Sequence, residues 1–418
     1  MVAETCLYRT LGCKQNQFDT QSLRLYLERQ GFAETQSLTE ADWCVINTCS
    51  VTERALAKVR GEINRIRRSN PNVKIVALGC GARHNRDNFT KADYIDQPPP
   101  AFELDEWYNA SSHTGIGSNL LPPHGIIPSG RSRALLRIQN GCDQKCAYCI
   151  VPHLRGSSRS VGFDACVDAL KSLVDQGAVE IVLTGTNIAS WGRDLAGDYQ
   201  FSDLLKVLVQ EIGNSRLRLS SLEPQLISPD LIEWCTEQPQ ICRHFHFAVQ
   251  SGSQTIVNSM NRGNFPQEIY RYLENLVRNC PDVSVGADII TGFPGETDDD
   301  FEKTVELISA IPFSYLHVFP YSERVGTEAA NRQNQVPVRK RLGRAQHLRK
   351  IDDELRDRFA QLNSGKMQDI VIIGDGHNGK MDGLTSNYLP VNFQDGFVPP
   401  DDRFSAKILA SQSELCVQ

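Results

Sequence analysis

The stretch "NGCDQKCAYCI", residues 140–150, places three cysteines, Cys142, Cys146 and Cys149, in a Cys-x3-Cys-x2-Cys run. It follows "ALLRIQ", an apolar segment that reads as a strand. Outward from it, strand and helix patterns alternate. Strands are predicted at 134–139, 179–184, 216–222, 243–249, 283–290 and 314–319, with helices at 164–176, 201–212, 266–278 and 298–310. Strands joined by helical crossovers make an α/β fold with a parallel sheet. Six of them predict a (β/α)6 partial TIM barrel, an opened relative of the eight-fold barrel. The cysteine run then lies just past the first barrel strand, on the face where such folds place their chemistry.

Residues 1–97 carry the same rhythm on a smaller scale. "CLYRTLGC", "DWCVINTC" and "NVKIVALGC" read as strands, and the first two lead into the helical patterns "QFDTQSLRLYLERQGF" and "TERALAKVRGEINRIRRS". This predicts an N-terminal open parallel sheet. Residues 98–131 hold "PPP", "SSHTGIGSN" and "LPPHGIIPSG", with no apolar period, and read as a linker. Residues 132–365 comprise the barrel and a charged trailing helix from 337; its start, "PVRKRLGRAQHLRK", has six Lys and Arg and no acid. Residues 366–418 turn to short β segments and predict a small OB-like β-barrel.

The composition bounds the setting. No apolar run in the 418 residues reaches the length of a membrane-spanning helix. The start, "MVAETCLYRTLG", lacks the basic and apolar regions of a secretory signal, so a cytoplasmic protein is expected. The net charge of −6 leaves room for local basic patches that bind phosphate. Thirteen cysteines, an odd number, favour metal or cluster ligation over disulfides in a reducing compartment.

Three thiolates can be read in three ways. Zinc prefers a closed four-ligand site, and His153, four residues after Cys149, could complete it. A 4Fe–4S cluster offers four irons, so three cysteines leave one iron open to a substrate or cofactor, and this fits better. Plain structural burial suits a tight triplet poorly. A second set, Cys13, Cys49 and Cys80, ends three successive predicted strands at intervals of 36 and 31 residues. Neighbouring strand ends lie together in an open parallel sheet, so these thiols could converge. Helix N-termini nearby would favour a negatively charged cluster. Simple core packing explains them equally well on pattern alone. Cys6 and Cys44, inside strands, read as core; Cys166, Cys235, Cys242, Cys280 and Cys416 have no ligand spacing and read as packing.

The Cys-x3-Cys-x2-Cys spacing, with aromatic Tyr148 before the last cysteine, resembles the radical S-adenosylmethionine superfamily. "TLGCKQNQFDT", "NTCSVTERA", "ALGCGAR" and "IQNGCDQKCAYCIVPHLRGSSRS", in this order, resemble its methylthiotransferase family. The likeness continues through "EIVLTGTNIASWGRD", "RLSSLEP", "HFAVQSGSQTIVNSMNRG", "ADIITGFPGET" and "LHVFPYSERVGT" and covers essentially the whole chain. The resemblance implies two 4Fe–4S clusters, an auxiliary one on Cys13, Cys49 and Cys80 and a radical one on Cys142, Cys146 and Cys149. It implies a C-terminal TRAM domain and two molecules of S-adenosylmethionine. One of these methylates a sulfur on the auxiliary cluster. The other, chelated by the open iron, is cleaved to a 5′-deoxyadenosyl radical that abstracts hydrogen from an unactivated carbon.

Other residues are weighed against that frame. Thr184, Gly185 and Asn187, in "LTGTN", resemble the turn that receives the methionine amino group; an ordinary βα turn is the alternative. Ser221, Glu223 and Gln250 end strands facing the site and could hold ribose or methionine. "GFPGET", residues 292–297, lacks the Lys-Ser/Thr of a phosphate loop and reads as a turn capped by Thr297. His246 alternates with apolar residues and reads as core. Arg54, Lys58, Arg60, Arg65, Arg67 and Arg68, with Arg339, Lys340, Arg341 and Arg344, offer phosphate contacts, although a charge run is usually a solvated face. The last 53 residues hold four Lys and Arg against seven Asp and Glu, which leaves room for a protein substrate.

"GCKQN" looks most like the branch acting on N6-threonylcarbamoyladenosine beside the tRNA anticodon. The implied reaction is methylthiolation of C2 of that adenine. An anticodon-loop base is unpaired and can be splayed into a pocket. The same chemistry on isopentenyladenosine, or on an aspartate of a ribosomal protein, is the enzymatic alternative; an iron–sulfur RNA-binding protein is the non-catalytic one. The implied partners are the tRNA anticodon loop, an electron donor such as a flavodoxin or ferredoxin, and a sulfur donor, with no membrane.

Overall fold

The computed structural model describes residues 3–50, 52–97, 99–102, 124–128, 133–263, 266–375, 381–393, 397–411 and 414–417. The first unit runs β1 (Thr5–Thr10), α1 (Lys14–Arg29), β2 (Ala33–Glu34), β3 (Trp43–Asn47), α2 (Glu53–Ser69), β4 (Lys74–Leu78), α3 (Cys80–His84) and β5 (Tyr94–Ile95). Its five strands are all parallel, in the order β2-β1-β3-β4-β5. Ile46 and Ile75 pack with Leu56, Val59 and Ile63 of α2 on one face, and Val45 and Val76 with Leu23 and Leu27 of α1 on the other. Burial on both faces is why β3 and β4 read as continuous apolar runs. Thr10 pairs with Asn47, and Asn47 with Leu78, so three adjacent strands end in register.

The central unit begins with β6 (Gly125–Ile126), β7 (Arg133–Arg137), β8 (Gln139–Asn140), α4 (Val151–Arg155), β9 (Arg159–Ser160), α5 (Phe163–Asp175), β10 (Glu180–Thr184) and α6 (Phe201–Glu211). It continues with β11 (Arg216–Leu219), α7 (Pro229–Glu237), β12 (His244–Gln250), α8 (Gln254–Ser259), α9 (Pro266–Asn279), β13 (Ser284–Thr291), α10 (Asp298–Ala310) and β14 (Tyr315–Pro320). The run β7-β10-β11 and the run β12-β13-β14 are each parallel. Parallel bridges Leu217–Ile241 and Leu222–Phe247 join them. These are the six strands of the expected partial barrel. Alternate residues such as Leu136, Leu183, Leu219, Phe247 and Ala287 pack outward in the main core. Their neighbours Arg137, Glu180, Arg218, His246, Asp288 and His317 therefore face the lumen. Thr297 caps α10 as expected, in a box with Asp300.

Helix α7, missed by pattern, starts at a Ser-Pro signal: Ser228 Oγ accepts from Leu231 N at 3.2 Å, with Pro229 at the first position. Much of the expected linker, including 103–123 and 129–131, lies outside the described residues. Its described parts are structured. Phe102 packs on Trp43 with centroids 4.8 Å apart, and β6 pairs antiparallel with β7.

Helix α11 (Val338–Asn363) seats Leu348 and Leu355 in the main core. Beyond it, β15 (Met367–Asp375), β16 (Met381–Thr385), β17 (Pro390–Asn392), β18 (Arg403–Ser411) and β19 (Glu414–Val417) close into the expected small barrel. It sits under the partial barrel. Arg216 donates to the carbonyls of Asp369 and Leu384 at 2.8 and 2.9 Å, and Arg218 to those of Thr385 and Ser386 at 3.0 Å. Both arginines also clasp the fully buried Glu180. No described helix is long and apolar enough to cross a membrane.

The basic runs correct one expectation. Arg341 and Arg344 are buried, not free for phosphate: Arg341 pairs with Glu323, and Arg344 with Glu296 and Asp298. On α2, Arg60, Arg65 and Arg67 pair with Glu53, Glu62 and Asp93. Charge counting registers the cations but not the acids that other segments bring to them.

Candidate functional site

Strands β8 and β9 pair as a short antiparallel clip and frame the cysteine loop between them. Gly141 has φ +75°, and a Cβ there would meet the Ser157 carbonyl at 2.0 Å, so the loop needs glycine to close. Cys142 N donates to Gly156 O at 3.1 Å, Cys149 N to Cys146 O at 3.0 Å, and Ala147 N to Met260 O at 2.9 Å. Buried Gln139 joins this loop to the predicted cofactor turn: its Nε2 donates to Gly141 O at 2.6 Å, and its Oε1 accepts from Asn187 N at 2.9 Å.

Burial raises the thiols of Cys142 and Cys146 and pushes that of Cys149 up to about 12. Ligation must then drive deprotonation through the metal's charge. Arg262 supplies a cation at the same place. It donates to Cys146 Sγ at 3.7 Å and Tyr148 OH at 3.1 Å, and pairs with Glu223. Three thiolates on one loop suit a 4Fe–4S core that leaves one iron open, whereas a closed zinc site wants a fourth protein ligand.

The second triplet meets at the three in-register strand ends. Exposed Cys13 caps α1, half-buried Cys80 opens α3, and buried Cys49 lies between them past β3. A Cβ on Gly12 would sit 3.1 Å from Cys49 Cβ, and one on Gly81 2.9 Å from Cys49 O. Asn16 Nδ2 donates to Thr48 O at 3.0 Å, Asn47 Nδ2 to Asn16 O at 3.0 Å, and Thr48 Oγ1 to Leu78 O at 2.6 Å. This network locks the three ends together. Arg155, from the helix after the other triplet, bonds Asn16 Oδ1 at 2.8 Å and Asp19 at 3.0 Å, and feels the field of Cys80 and Cys13. Arg324, past β14, lies near Cys49 and pairs with Glu53. Arg155 and Arg324 thus put positive charge beside the second triplet, and Arg324 also lines a cavity with Cys149 of the first.

The remaining predicted residues divide. Thr184 and Asn187 are buried beside the first triplet's loop, and Asn187 Oδ1 has no partner among the described residues. A Cβ on Gly185 would come within 3.1 Å of Gln139 Oε1. Glu223 is buried against Arg262, whereas Ser221 is exposed, and it is Ser220 whose hydroxyl is buried and unpartnered. Gln250 takes φ +71° and, with Tyr148, Cys149, Asp288, Phe319 and Arg324, lines a cavity of ≈ 220 Å³ that also touches Thr52 of the first unit.

Sequence reasoning missed the lumen. His246 is buried as expected, but in a polar array. Its Nε2 lies 3.0 Å from Asp288 Oδ1 and its Nδ1 2.9 Å from Tyr315 OH; His317 Nδ1 lies 3.3 Å from the same Asp288 oxygen. The two rings hold Asp288 well below the carboxylate range against the opposing effect of burial. Lys14, next to Cys13, reaches in from α1; burial, with Arg133 and Arg218 near, lowers its ammonium to about 8. The period-two spacing of Asp288 and Gly286 against buried Ala287 was a usable signal for a polar inner face.

Comparison with known proteins agrees with this layout. Residues 5–97 match the Uncharacterized protein family UPF0004, and residues 136–308 the Radical SAM superfamily. The threonylcarbamoyladenosine tRNA methylthiotransferase MtaB of Aquifex aeolicus is 32% identical, over 92% of this chain and 95% of its own. Its namesake in Rickettsia prowazekii is 33% identical, over 96% and 94%. The tRNA-2-methylthio-N(6)-dimethylallyladenosine synthase of Syntrophus aciditrophicus is 32% identical, over 92% and 87%. Among solved structures, the radical S-adenosylmethionine methyltransferase TsrM of Kitasatospora setae shares the fold, with a TM-score of 0.53 at 14% identity over 79% of this chain and 77% of that one. At about a third identity over nearly the whole length of these methylthiotransferases, the chain belongs to the radical S-adenosylmethionine methylthiotransferase family.

Proposed function

We propose that this chain adds a methylthio group to C2 of N6-threonylcarbamoyladenosine beside the tRNA anticodon. The observation that carries the reading is a cysteine triplet at the in-register strand ends of the first unit, tied by Arg155 to the helix that follows the other triplet and sharing Arg324 with the cavity at Cys149. Cys142, Cys146 and Cys149 hold one 4Fe–4S cluster, and Cys13, Cys49 and Cys80 the other. When bound, these clusters and S-adenosylmethionine supply the hydrogen-abstracting radical and the sulfur.

The chain's own residues orient and exclude. Thr184, Gly185 and Asn187 lie against the first loop through Gln139, where backbone groups and the unpartnered Asn187 Oδ1 suit an ammonium group. Gln250 edges the cavity beside Cys149, Glu223 is held by Arg262, the residue that bonds Cys146, and Ser221 is open to solvent at the next strand end. Tyr148 and Phe319 give that cavity apolar walls that keep water from a reactive intermediate. The proposed division is 1–97 for the auxiliary site, 98–131 for the connection, 132–365 for the radical core and trailing helix, and 366–418 for a TRAM-like platform.

The substrate is the tRNA anticodon loop, and an electron donor such as a flavodoxin or ferredoxin and a sulfur donor serve the reaction in the cytoplasm. Mass spectrometry of tRNA nucleosides from a strain lacking this gene tests the proposal. Loss of the methylthio group from threonylcarbamoyladenosine alone, restored by the intact gene, is expected. Loss from isopentenyladenosine instead would keep the chemistry and overturn the substrate. No change in any tRNA nucleoside would overturn the tRNA reading.

A further inference from the structure

Strands β12, β13 and β14 each turn one ligating side chain to the same point in the lumen. Asp288 and His317 are register partners on neighbouring strands, and His246 pairs with Gly286, two residues before Asp288 on the same face. Gly286 makes room for the group. A Cβ there would meet the Tyr315 ring at 2.2 Å, and Tyr315 is the residue that holds His246. As a result a ring nitrogen from each histidine and a carboxylate oxygen of Asp288 all lie within 4.8 Å of one another. His246 Nε2 is 3.0 Å, and His317 Nδ1 3.3 Å, from Asp288 Oδ1.

Those separations fit an ion. Donor atoms about 2.1 Å from a first-row divalent metal and this far apart subtend about 90° and 105° at it, close to the octahedral and tetrahedral angles. The surroundings fit as well. A ligating imidazole donates its other N–H to a fixed acceptor. His246 Nδ1 has Tyr315 OH at 2.9 Å, and His244 Nε2, 2.7 Å from the same hydroxyl, fixes the phenol in turn. At the lumen floor the carboxylate of Glu180 is matched by the guanidiniums of Arg133, Arg216 and Arg218. Asp288 is met instead by two imidazoles, which can ligate a metal where a guanidinium cannot. Asp288 also lines the cavity beside Cys149, and His317 keeps 45% of its side chain exposed, so an ion has a way in.

We propose that His246, Asp288 and His317 form a mononuclear divalent-metal site, separate from both cysteine triplets, that takes a first-row ion such as Mn²⁺, Fe²⁺ or Zn²⁺ through two imidazoles and one carboxylate. Three protein ligands leave positions open at the cavity wall for water or for an oxygen of a molecule bound there. The site goes beyond the reaction proposed above and does not depend on it.

Mn²⁺ alone is the probe, because it suits imidazole and carboxylate and competes poorly for thiolates. The cluster-loaded full chain is freed of loose metal on a chelating resin and kept oxidised, so that its clusters are silent in electron paramagnetic resonance. It is then titrated with Mn²⁺, and loss of the free ion's signal counts the bound ion. One equivalent per chain is expected, and electron spin-echo modulation of the bound ion should show imidazole nitrogen. Asp288→Asn and His317→Ala should each weaken binding by about tenfold or more. The iron content of each variant, read on the same sample, shows that its clusters are kept. If a variant loses them, the nitrogen modulation of the wild type decides alone. No stoichiometric binding, a bound ion without nitrogen modulation, or binding unchanged in both variants would mean an adventitious ion only and overturns the site.

Discussion

Glu180→Gln is the sharpest test of how the reactive face is held up from below. The Glu180 side chain is fully buried and accepts from Arg133 Nε at 2.6 Å, Arg216 Nε at 2.7 Å, and Arg218 Nε and Nη2 at 2.9 and 2.8 Å. Glutamine keeps one carbonyl oxygen but turns an NH₂ toward guanidinium groups and removes the carboxylate that all three share. The cost is not three separate ion pairs. Arg216 also pairs with Asp369 at 2.9 Å, and both inner arginines keep the carbonyls of the terminal barrel. The cost of one unbalanced buried charge, about 3–5 kcal/mol, is the right scale. At about 2–4 °C per kcal/mol for a unit of this size, the melting temperature should fall by roughly 6–20 °C. Calorimetry of the cluster-loaded chain at one scan rate measures it. The surrounding guanidiniums hold the Glu180 carboxyl well below its ordinary value against burial. A lowered folded value means that the stabilisation is full above the unfolded value of about 4.3 and is lost only as pH falls through the folded one. The deficit should therefore be constant between about pH 6 and 8. A shift under about 2 °C, or a deficit that shrinks with rising pH in that window, would refute the assignment of Glu180 as the anion of the barrel floor.

Two further outcomes follow from the site. Anaerobic reconstitution should load about eight irons per chain, and the Cys142→Ala, Cys146→Ala, Cys149→Ala triple variant about four; a triple variant without iron would remove the first-unit cluster from the proposal. Arg262→Gln should make the potential of the Cys142–Cys149 cluster more negative by about 60 mV, a tenfold change for one electron, because Cys146 loses a cation and a hydrogen-bond donor at 3.7 Å. An unchanged potential in a redox titration followed by electron paramagnetic resonance would take Arg262 out of the cluster's surroundings.

Much of the architecture was legible because strands buried on both faces and amphipathic crossover helices each leave their own period. The six barrel strands begin and end within a few residues of where apolar runs put them, and Cys142, Cys146 and Cys149 fall in the loop past the first, as spacing indicated. What was not legible shares one cause. Arg216 and Arg218 alternate with Leu217 and Leu219, which reads as a strand with one wet face. That face is instead closed by a β-barrel 153 to 168 residues further on, whose carbonyls the arginines bind. Arg341 and Arg344 looked free for the same reason, since Glu323 and Glu296 come to them from other segments. Local pattern records which groups are charged. Only the assembled fold records which of them are already matched.

Helix α1 shows what that assembly accomplishes. Its cap is Cys13, a proposed cluster ligand, and its next residue, Lys14, reaches the lumen. One turn on, Phe18 packs with Ile126, Leu135 and Val182 of the partial barrel while the Arg137 guanidinium lies 4.1 Å over its ring. Asp19 then receives Arg137 at 2.8 Å and Arg155 at 3.0 Å. Residues four apart share a helix face, so Lys14 and Phe18 enter the barrel side by side. The same short segment therefore carries one proposed cluster ligand, a lysine that reaches the lumen and the seal between the two units. A transfer between two sites demands that their separation be held to a fraction of an ångström, because small misplacements cost large factors in rate. Here the separation is set by one rigid helix whose first turn is part of both sites. A change at Phe18, which touches neither triplet, should for that reason move them relative to each other.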